Sequence, residues 1–160
     1  MKKNIFVAFV SILSATSAYA ADFGLGVDIK DDAHTIYVPI NVSEGFRIEP
    51  YFSNHKLSQD DPFDSRESEL GVGFFKVSEV AEKTNMVWGL RGSYIDGKYY
   101  HDEFDGYSVA PVLGLEYFPV SNVSVGADVS YSYRKVEGDS FSGNATSSGT
   151  KTAVSVKFYF

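Results

Sequence analysis

Hydrophobic and polar residues alternate with a period of two along most of this chain. Alternation of this kind predicts β-strands with one apolar and one polar face. The alternating runs are separated by segments rich in Gly, Asp, Asn, Ser and Pro, which favour turns. The nearest candidate for a helix, Val77–Lys83, is too short to be stable alone, and we expect a connection there. The eight runs are Phe23–Lys30, Thr35–Val42, Phe46–Ser53, Glu69–Phe75, Met86–Ile95, Tyr107–Tyr117, Val123–Arg134 and Lys151–Phe160.

Each run can be divided by parity into a face without charges and a face that carries charges of both signs together with many Gly and Ser. The alternation does not decide which face lies inside. A soluble barrel or sandwich buries its apolar face, whereas a barrel in an outer membrane turns that face to lipid and keeps a polar interior.

The aromatic residues favour the membrane arrangement. They lie at the ends of the apolar rows, as Tyr107 and Tyr117 do around the aliphatic stretch from Val109 to Leu115. Two aromatic girdles around an aliphatic band are expected of a lipid-facing surface, because amphipathic rings prefer the membrane–water interface. We therefore expect the apolar face to lie outside.

The first twenty residues have the pattern of a cleaved export signal. Lys2 and Lys3 precede a short apolar stretch from Ile5 to Leu13, and Ala18-Tyr19-Ala20 fits a cleavage site. We predict a signal peptide over residues 1–20 and one barrel domain over residues 21–160. Removing the signal makes the net charge of −7 still more negative.

Composition excludes several classes of protein. An acidic chain is poorly suited to bind nucleic acid, since phosphate neutralisation needs clustered Lys and Arg. The absence of Cys excludes a disulfide scaffold and thiolate chemistry. No stretch after residue 20 approaches the roughly 18 consecutive apolar residues of a membrane-spanning helix.

The last run, Lys151-Thr-Ala-Val-Ser-Val-Lys-Phe-Tyr-Phe160, alternates cleanly and ends on Phe, and Leu113–Tyr133 has a strand, short turn and strand pattern. In these features the sequence resembles the OmpX/OmpA-like superfamily of small outer-membrane barrels of Gram-negative bacteria. The resemblance implies an all-β, eight-stranded antiparallel up-and-down transmembrane barrel in the outer membrane. It also implies that Phe158 and Phe160 belong to the signal read by the barrel-assembly machinery.

An even number of strands is expected when both ends of the barrel lie on the periplasmic side. Three outer connections are then long and acidic or Gly/Ser-rich, and two inner turns are short. The expected outer loops are Asp31–His34, Asn54–Ser68, Asp96–Gly106 and Lys135–Thr150, and the expected turns are Ser43–Gly45, Lys76–Asn85 and Phe118–Asn122.

Charges on the inward face predict a salt-bridged lumen. An eight-stranded barrel is only wide enough for its own side chains, so we expect a packed interior, with a narrow ion channel as the alternative. The expected lumen cluster is Arg47, Glu49, Glu69, Arg91, Glu116, Asp128 and Lys157.

Three prolines disagree with this pattern. Pro39, Pro50 and Pro111 fall inside predicted strands, although proline lacks a ladder donor. We expect them at bulges or strand ends, or the strand boundaries there to be wrong.

The sequence gives little support for a catalytic function. Some outer-membrane barrels that modify lipid A use Ser and His on the barrel wall, but His34, His55 and His101 fall at strand ends or in loops, outside a His-x-Ser arrangement. We expect no enzyme and no cofactor. Asp60, Asp61 and Asp64, or Asp102, Glu103 and Asp105, suit Ca²⁺ or Mg²⁺ by chemistry, but solvated acidic loops are the preferred interpretation.

The outer loops supply candidates for interaction. Tyr99, Tyr100 and Phe104 are candidates for contact with a surface ligand, although packing on the barrel rim is the simpler interpretation. Near the outer rim, Lys56, Arg66, Lys98 and Lys135 suit lipopolysaccharide phosphates.

The predicted function is therefore a structural or surface-interaction role, in adhesion or envelope integrity, with outer-membrane lipid and lipopolysaccharide as partners. The alternatives are a narrow channel, a lipid A-modifying enzyme and a soluble periplasmic barrel that binds an apolar ligand.

Overall fold

The computed structural model describes residues 22–29, 33–56, 66–99, 102–138 and 145–160. They form nine strand segments. The segments are β1 (Asp22–Ile29), β2 (Ala33–Tyr37), β3 (Ile40–Ser43), β4 (Phe46–Lys56), β5 (Arg66–Ala81), β6 (Thr84–Tyr99), β7 (Asp102–Val120), β8 (Val123–Gly138) and β9 (Ala145–Tyr159).

The sheet closes on itself. From β4 to β9 each strand pairs antiparallel with the next, and β9 pairs with β1. Both β2 and β3 pair with β1 on one side and with β4 on the other, so they form one wall strand. The result is the predicted closed, eight-stranded antiparallel barrel. Among the described residues, none forms a helix long and apolar enough to cross a membrane.

The two ends of the barrel differ. At one end, called here the turn end, tight turns at residues 44–45, 82–83 and 121–122 join the strands. Gly45 has a φ of 74° and Lys83 a φ of 59°, the left-handed conformation that such turns require. The opposite end, called the loop end, leads into the connections that lie outside the described residues.

Most strands are longer than predicted. The predicted connections Lys76–Asn85, Asp96–Gly106 and Lys135–Thr150 are largely strand, because β5 runs to Ala81, β7 begins at Asp102 and β9 begins at Ala145. Alternation reports a strand only where one face is apolar. In these extensions the outward face is no longer uniformly apolar, since Lys76, Asp105 and Glu137 lie on it, so the pattern ends while the hydrogen-bonded ladder continues.

The prolines are accommodated in different ways. Pro39 lies at the break between β2 and β3, and the Pro50 carbonyl accepts a hydrogen bond from the Val38 N–H at 3.0 Å. A strand residue points its N and its O to the same neighbour, so the missing donor of Pro50 faces this break. Pro111 lies inside β7, where the pairing with β8 lapses between Val109 and Val112. Only Pro39 marks the end of a strand.

The apolar face lies outside. Leu90, Leu113 and Leu115 are each more than half exposed, although they lie in the middle of long strands. The inward face carries the residues of opposite parity, and Arg47, Glu49 and Glu116 there are each only 2% exposed. This distribution is the reverse of that in a soluble protein.

Several inward glycines lie beneath aromatic rings. A Cβ at Gly71 would lie 2.5 Å from Cζ of Tyr51 and 2.6 Å from the carbonyl oxygen of Gly92. Glycine is therefore required where a ring lies flat against the wall. The pairs arranged in this way across adjacent strands are Gly26 with Tyr37, Gly71 with Tyr51 and Gly97 with Phe104.

Candidate functional site in the barrel interior

The interior near the turn end is built around Arg47 of β4. Its Nη2 donates to Glu116 Oε2 at 2.9 Å, its Nη1 lies 3.4 Å from Glu49 Oε1, and its Nε donates to Asn41 Oδ1 at 3.0 Å. The guanidinium lies 5.6 Å from the ring centroid of Tyr159. Its planar fork of donors suits such multiple contacts better than a lysine ammonium does.

Glu116 of β7 is fully partnered as well. Its Oε1 accepts hydrogen bonds from Ser124 at 2.6 Å and from the Tyr159 hydroxyl at 2.7 Å, and Lys157 Nζ lies 3.3 Å away. A carboxylate buried in this way is stable only when such donors replace water.

Lys157 and Arg91 extend the network across the lumen. Lys157 Nζ donates to Glu49 Oε1 at 3.1 Å. Arg91 Nη2 lies 3.9 Å from Glu49 Oε2 and donates to Asp128 Oδ2 at 3.2 Å. We call the six side chains the central network: Arg47, Glu49, Arg91, Glu116, Asp128 and Lys157.

The central network balances its charge, since each cation faces a carboxylate. Its contacts join strands that are not neighbours in the sheet: β4 with β7, β4 with β9, and β6 with β8. Such a network adds little net stability compared with apolar packing, but loss of one member leaves a buried charge unpaired. Its consequence is to fix the barrel cross-section and fill the lumen with side chains.

Glu69, also predicted for the cluster, lies apart from the central network. Its Oε1 accepts hydrogen bonds from Tyr51 at 3.0 Å, from Ser108 at 3.1 Å and from Ser93. Hydroxyl donors replace the cation that we expected there.

Nearer the loop end, Arg134 of β8 forms a two-pronged pair with Glu67 of β5, with Nη1 2.9 Å from Oε1. Sequence analysis missed this pair, because the predicted third-to-fourth connection included Glu67 and the lumen cluster omitted Arg134. The spacing Glu67-x-Glu69-x-Gly71 continues the inward parity of β5 and was the available signal.

Apolar side chains fill the remaining interior. One cluster consists of Phe75, Val87 and Val112, and the other of Ile95, Phe104 and Val136. The placement of Phe104 in an outer loop is therefore wrong: it lies on β7, is 8% exposed and covers Gly97. Its inward parity on an extended strand explains the burial.

The cavities of the barrel are of two kinds. At the turn end an open vestibule of about 840 Å³ is lined by residues of the turns at 44–45 and 121–122 and by Arg47 and Tyr159. Within the lumen, the cavity beside Glu69 and Arg91 measures about 50 Å³ and another beside Lys157 about 20 Å³. Volumes of this size hold about one water or a few, and the central network separates the vestibule from them.

The remaining predicted residues lie elsewhere. Tyr99 ends β6, and Tyr100 lies outside the described residues, as do Asp60, Asp61 and Asp64. Among the described residues, no group of three or more His, Asp or Glu side chains is arranged to hold a metal ion. Phe158 and Phe160 point outward, 48% and 73% exposed, and their role in assembly stays a prediction.

No family model matches the sequence, and no curated protein sequence matches it. Solved structures do match the fold. Neisserial surface protein A is similar with a TM-score of 0.64 at 14% identity, over 88% of this chain and 94% of that chain. A major outer membrane protein from Thermus thermophilus is similar with a TM-score of 0.58 at 11% identity, over 89% of this chain and 100% of that chain. The protein has the fold of the small eight-stranded outer-membrane β-barrels.

Proposed function

We propose that the protein spans the bacterial outer membrane as a sealed barrel with a structural or surface-interaction role. The observation that carries the proposal is the inverted distribution of polarity, with aliphatic side chains exposed in a band and charged side chains buried inside. A closed barrel also satisfies the backbone groups that lipid cannot. The residues before the barrel, 1–20, would direct export.

The outward face itself supports a membrane boundary. Tyr94 and Tyr107 are paired across β6 and β7, and both are nearly half exposed. Two residues further toward the loop end, Asp96, Asp105 and Glu137 form an exposed row across three strands. Charges directly beyond an aromatic girdle are expected where lipid hydrocarbon gives way to headgroups and water.

The interior favours a sealed barrel over a channel. The lumen cavities described above hold about one water or a few, and the central network fills the cross-section between them and the vestibule. The cavity beside Glu69 and Arg91 is lined mainly by polar side chains, which do not suit a lipid-like ligand and argue against the soluble alternative.

A structural or surface role also fits better than catalysis. Of the three histidines, His34 is exposed on β2 and His101 lies outside the described residues. His55 lies at the loop end, opposite Glu67. We also propose lipopolysaccharide and the barrel-assembly machinery as partners, because an outer-membrane location brings a barrel into contact with both.

The single tryptophan tests the proposal. Trp88 is the only Trp in the chain and is 49% exposed on the outward face. In vesicles, lipids brominated on their acyl chains should quench its fluorescence strongly. The matched control is Phe75→Trp with Trp88→Phe, which moves the indole to an inward position that is 1% exposed, and this control should be quenched much less.

A difference in gel mobility between heated and unheated samples verifies that the wild type and the control variant are both folded barrels. Equal quenching of the two forms, or a folded protein that partitions into the aqueous fraction, would overturn the membrane assignment.

A further inference from the structure

One row of inward side chains crosses four neighbouring strand segments on the loop-end side of the central network. Asp28 of β1 pairs with Thr35 of β2. Thr35 pairs in turn with Ser53 of β4, and Ser53 pairs with Glu69 of β5. The Thr35 hydroxyl donates to the Ser53 hydroxyl oxygen at 3.1 Å. A carboxylate therefore lies at each end of the row, and two hydroxyl groups lie between them. We call these four residues the polar row.

The polar row borders the lumen cavity of about 50 Å³. Most of the other groups that line this cavity are also polar. Hydroxyl groups come from Tyr37, Tyr51, Ser108, Ser130 and Ser132, and the further charged groups belong to Glu49, Arg91 and Lys151. A cavity of this volume and lining has room for a small ion together with about one or two waters.

The charges on this part of the inward face do not balance. Between the vestibule and the pair of Arg134 with Glu67, that pair included, six described carboxylates face five Lys or Arg side chains, with His55 counted as neutral. The carboxylates are Asp28, Glu49, Glu67, Glu69, Glu116 and Asp128, and the cations are Arg47, Arg91, Arg134, Lys151 and Lys157. An excess charge in a buried place is costly unless a counter-charge is present.

The excess negative charge is best assigned to Glu69. This carboxylate accepts hydrogen bonds from three hydroxyl groups. Within the described part of the chain, no Lys or Arg forms a salt bridge with it. Hydroxyl donors orient the carboxylate but bring no positive charge, so the polar row is one unit of positive charge short.

Tyr37 provides an independent sign of a ligand. Its side chain is 3% exposed and lines the same cavity. The hydroxyl lies near Asp28 and Ser155, but it forms no hydrogen bond of normal geometry with any described residue. A buried hydroxyl in this situation has given up its contact with water without a replacement. A cation in the cavity provides that replacement, because the hydroxyl oxygen can coordinate it.

We propose that this cavity binds one Na⁺ ion, held by the carboxylates of Asp28 and Glu69 and the hydroxyl oxygen of Tyr37, with water completing its coordination. Hard cations take oxygen ligands of this kind, and a single positive charge matches the excess. A divalent ion fits less well, because Arg91 and Lys151 line the same cavity and no described group offers three carboxylates to a metal. The bound ion ties β1, β2 and β5 together from inside, and the proposal does not depend on the surface role proposed above.

The experiment uses the full barrel refolded in detergent micelles, with N-methyl-D-glucamine chloride replaced stepwise by NaCl at constant ionic strength. An ion that binds only the folded state stabilises it in proportion to the logarithm of its concentration above the dissociation constant. The midpoint of urea unfolding, followed by Trp88 fluorescence, should therefore rise with Na⁺. Equilibrium dialysis with radioactive Na⁺ should find one bound ion per barrel.

Four variants separate a specific site from a general effect of salt. Tyr37→Phe removes one oxygen ligand and should weaken Na⁺ binding about threefold to tenfold. Glu69→Gln still accepts hydrogen bonds from the hydroxyl groups but lacks the charge, and should weaken binding about tenfold or more. Lys151→Met removes a competing cation and should strengthen binding about threefold. Asp96→Asn is the matched control, since it removes an exposed carboxylate from the outward face, and should bind like the wild type.

A urea midpoint that does not respond to Na⁺ would overturn the proposal, and so would equal stabilisation by K⁺. Unchanged Na⁺ binding by Tyr37→Phe or by Glu69→Gln would do the same, because the excess charge would then be neutralised in another way, such as protonation of a carboxyl group. Heat-modifiable mobility verifies that each variant is folded. Any of these results with normal quenching of Trp88 would leave the proposed membrane function standing.

Discussion

The two halves of the barrel interior handle charge differently. Toward the turn end, six charged side chains form the central network, and the side chains of Arg47 and Glu116 are each only 2% exposed. Toward the loop end, Arg134 and Glu67 form a separate pair whose side chains are 23% and 7% exposed. Ile95, Phe104 and Val136 pack as an apolar cluster in that half.

The difference shows how the surroundings decide what a charge needs. A charge sealed from water requires a full set of partners, whereas one with access to water is partly solvated when a partner is lost. Loss of one member should therefore be far more damaging in the central network than at the loop end.

The largest effect is expected from Arg47→Met. The substitution leaves Glu116 and Glu49 without their guanidinium partner in a buried site, and the free energy of unfolding should fall by about 3–5 kcal/mol. Reversible urea unfolding in micelles, followed by Trp88 fluorescence, measures the change. Arg47→Met combined with Glu116→Gln should cost less than the sum of the two single changes, and strict additivity would contradict a coupled network.

An intermediate effect is expected at the glycines beneath the rings. Gly71→Ala pushes a methyl group into Tyr51 and the Gly92 carbonyl, and should reduce the free energy of unfolding by about 1–3 kcal/mol. Gly92→Ala is the matched control, since a Cβ there meets nothing within 4 Å. Equal losses for the two variants would show that glycine matters here for backbone freedom and not for space.

The smallest effect is expected from Glu67→Gln, which leaves the partly solvated Arg134, 23% exposed, without its carboxylate and should reduce the free energy of unfolding by about 1 kcal/mol. Because this pair is partly solvated, added salt should shrink the difference from the wild type, while the cost of Arg47→Met should persist. The measurement is urea unfolding at low and high salt. A loss at Glu67 as large as that at Arg47 would remove the distinction between the two halves.

The sequence was sufficient for the fold and for the choice of faces, because lipid demands apolar side chains at every second position. Strand lengths were underestimated at Asp96–Tyr99, Lys135–Gly138 and Ala145–Thr150. In these segments the outward side chains are polar, as at Asp96, Glu137 and Ser148, so the apolar row that marked the strands is absent.

The sequence predicted which side chains face the interior, but it did not predict which of them contact each other. The alternation of side chains along each strand places Arg47 and Glu116 on the same face of the sheet. Only the tilt and closure of the strands bring the side chains of β4 and β7 into contact across the lumen. The same limit explains Glu69, which parity placed with the cations and which the register placed among Tyr51, Ser93 and Ser108. Contacts between side chains across a lumen join residues far apart in the sequence, so no local sequence pattern predicts them.

The short seam between β1 and β9 has a mechanical consequence. Among the described residues, those two strands share a ladder only from Gly24 to Ile29, while β6 and β7 are paired along the whole of β6. Under lateral tension in the plane of the membrane, the wall is weakest where the fewest rungs share the load. Rupture should therefore begin beside β1, at this seam or at the equally short ladder that β1 forms with β2 and β3, and turn the cylinder into an open ribbon. Lys157 of β9 and its partner Glu49 of β4 form a side-chain tie across either gap.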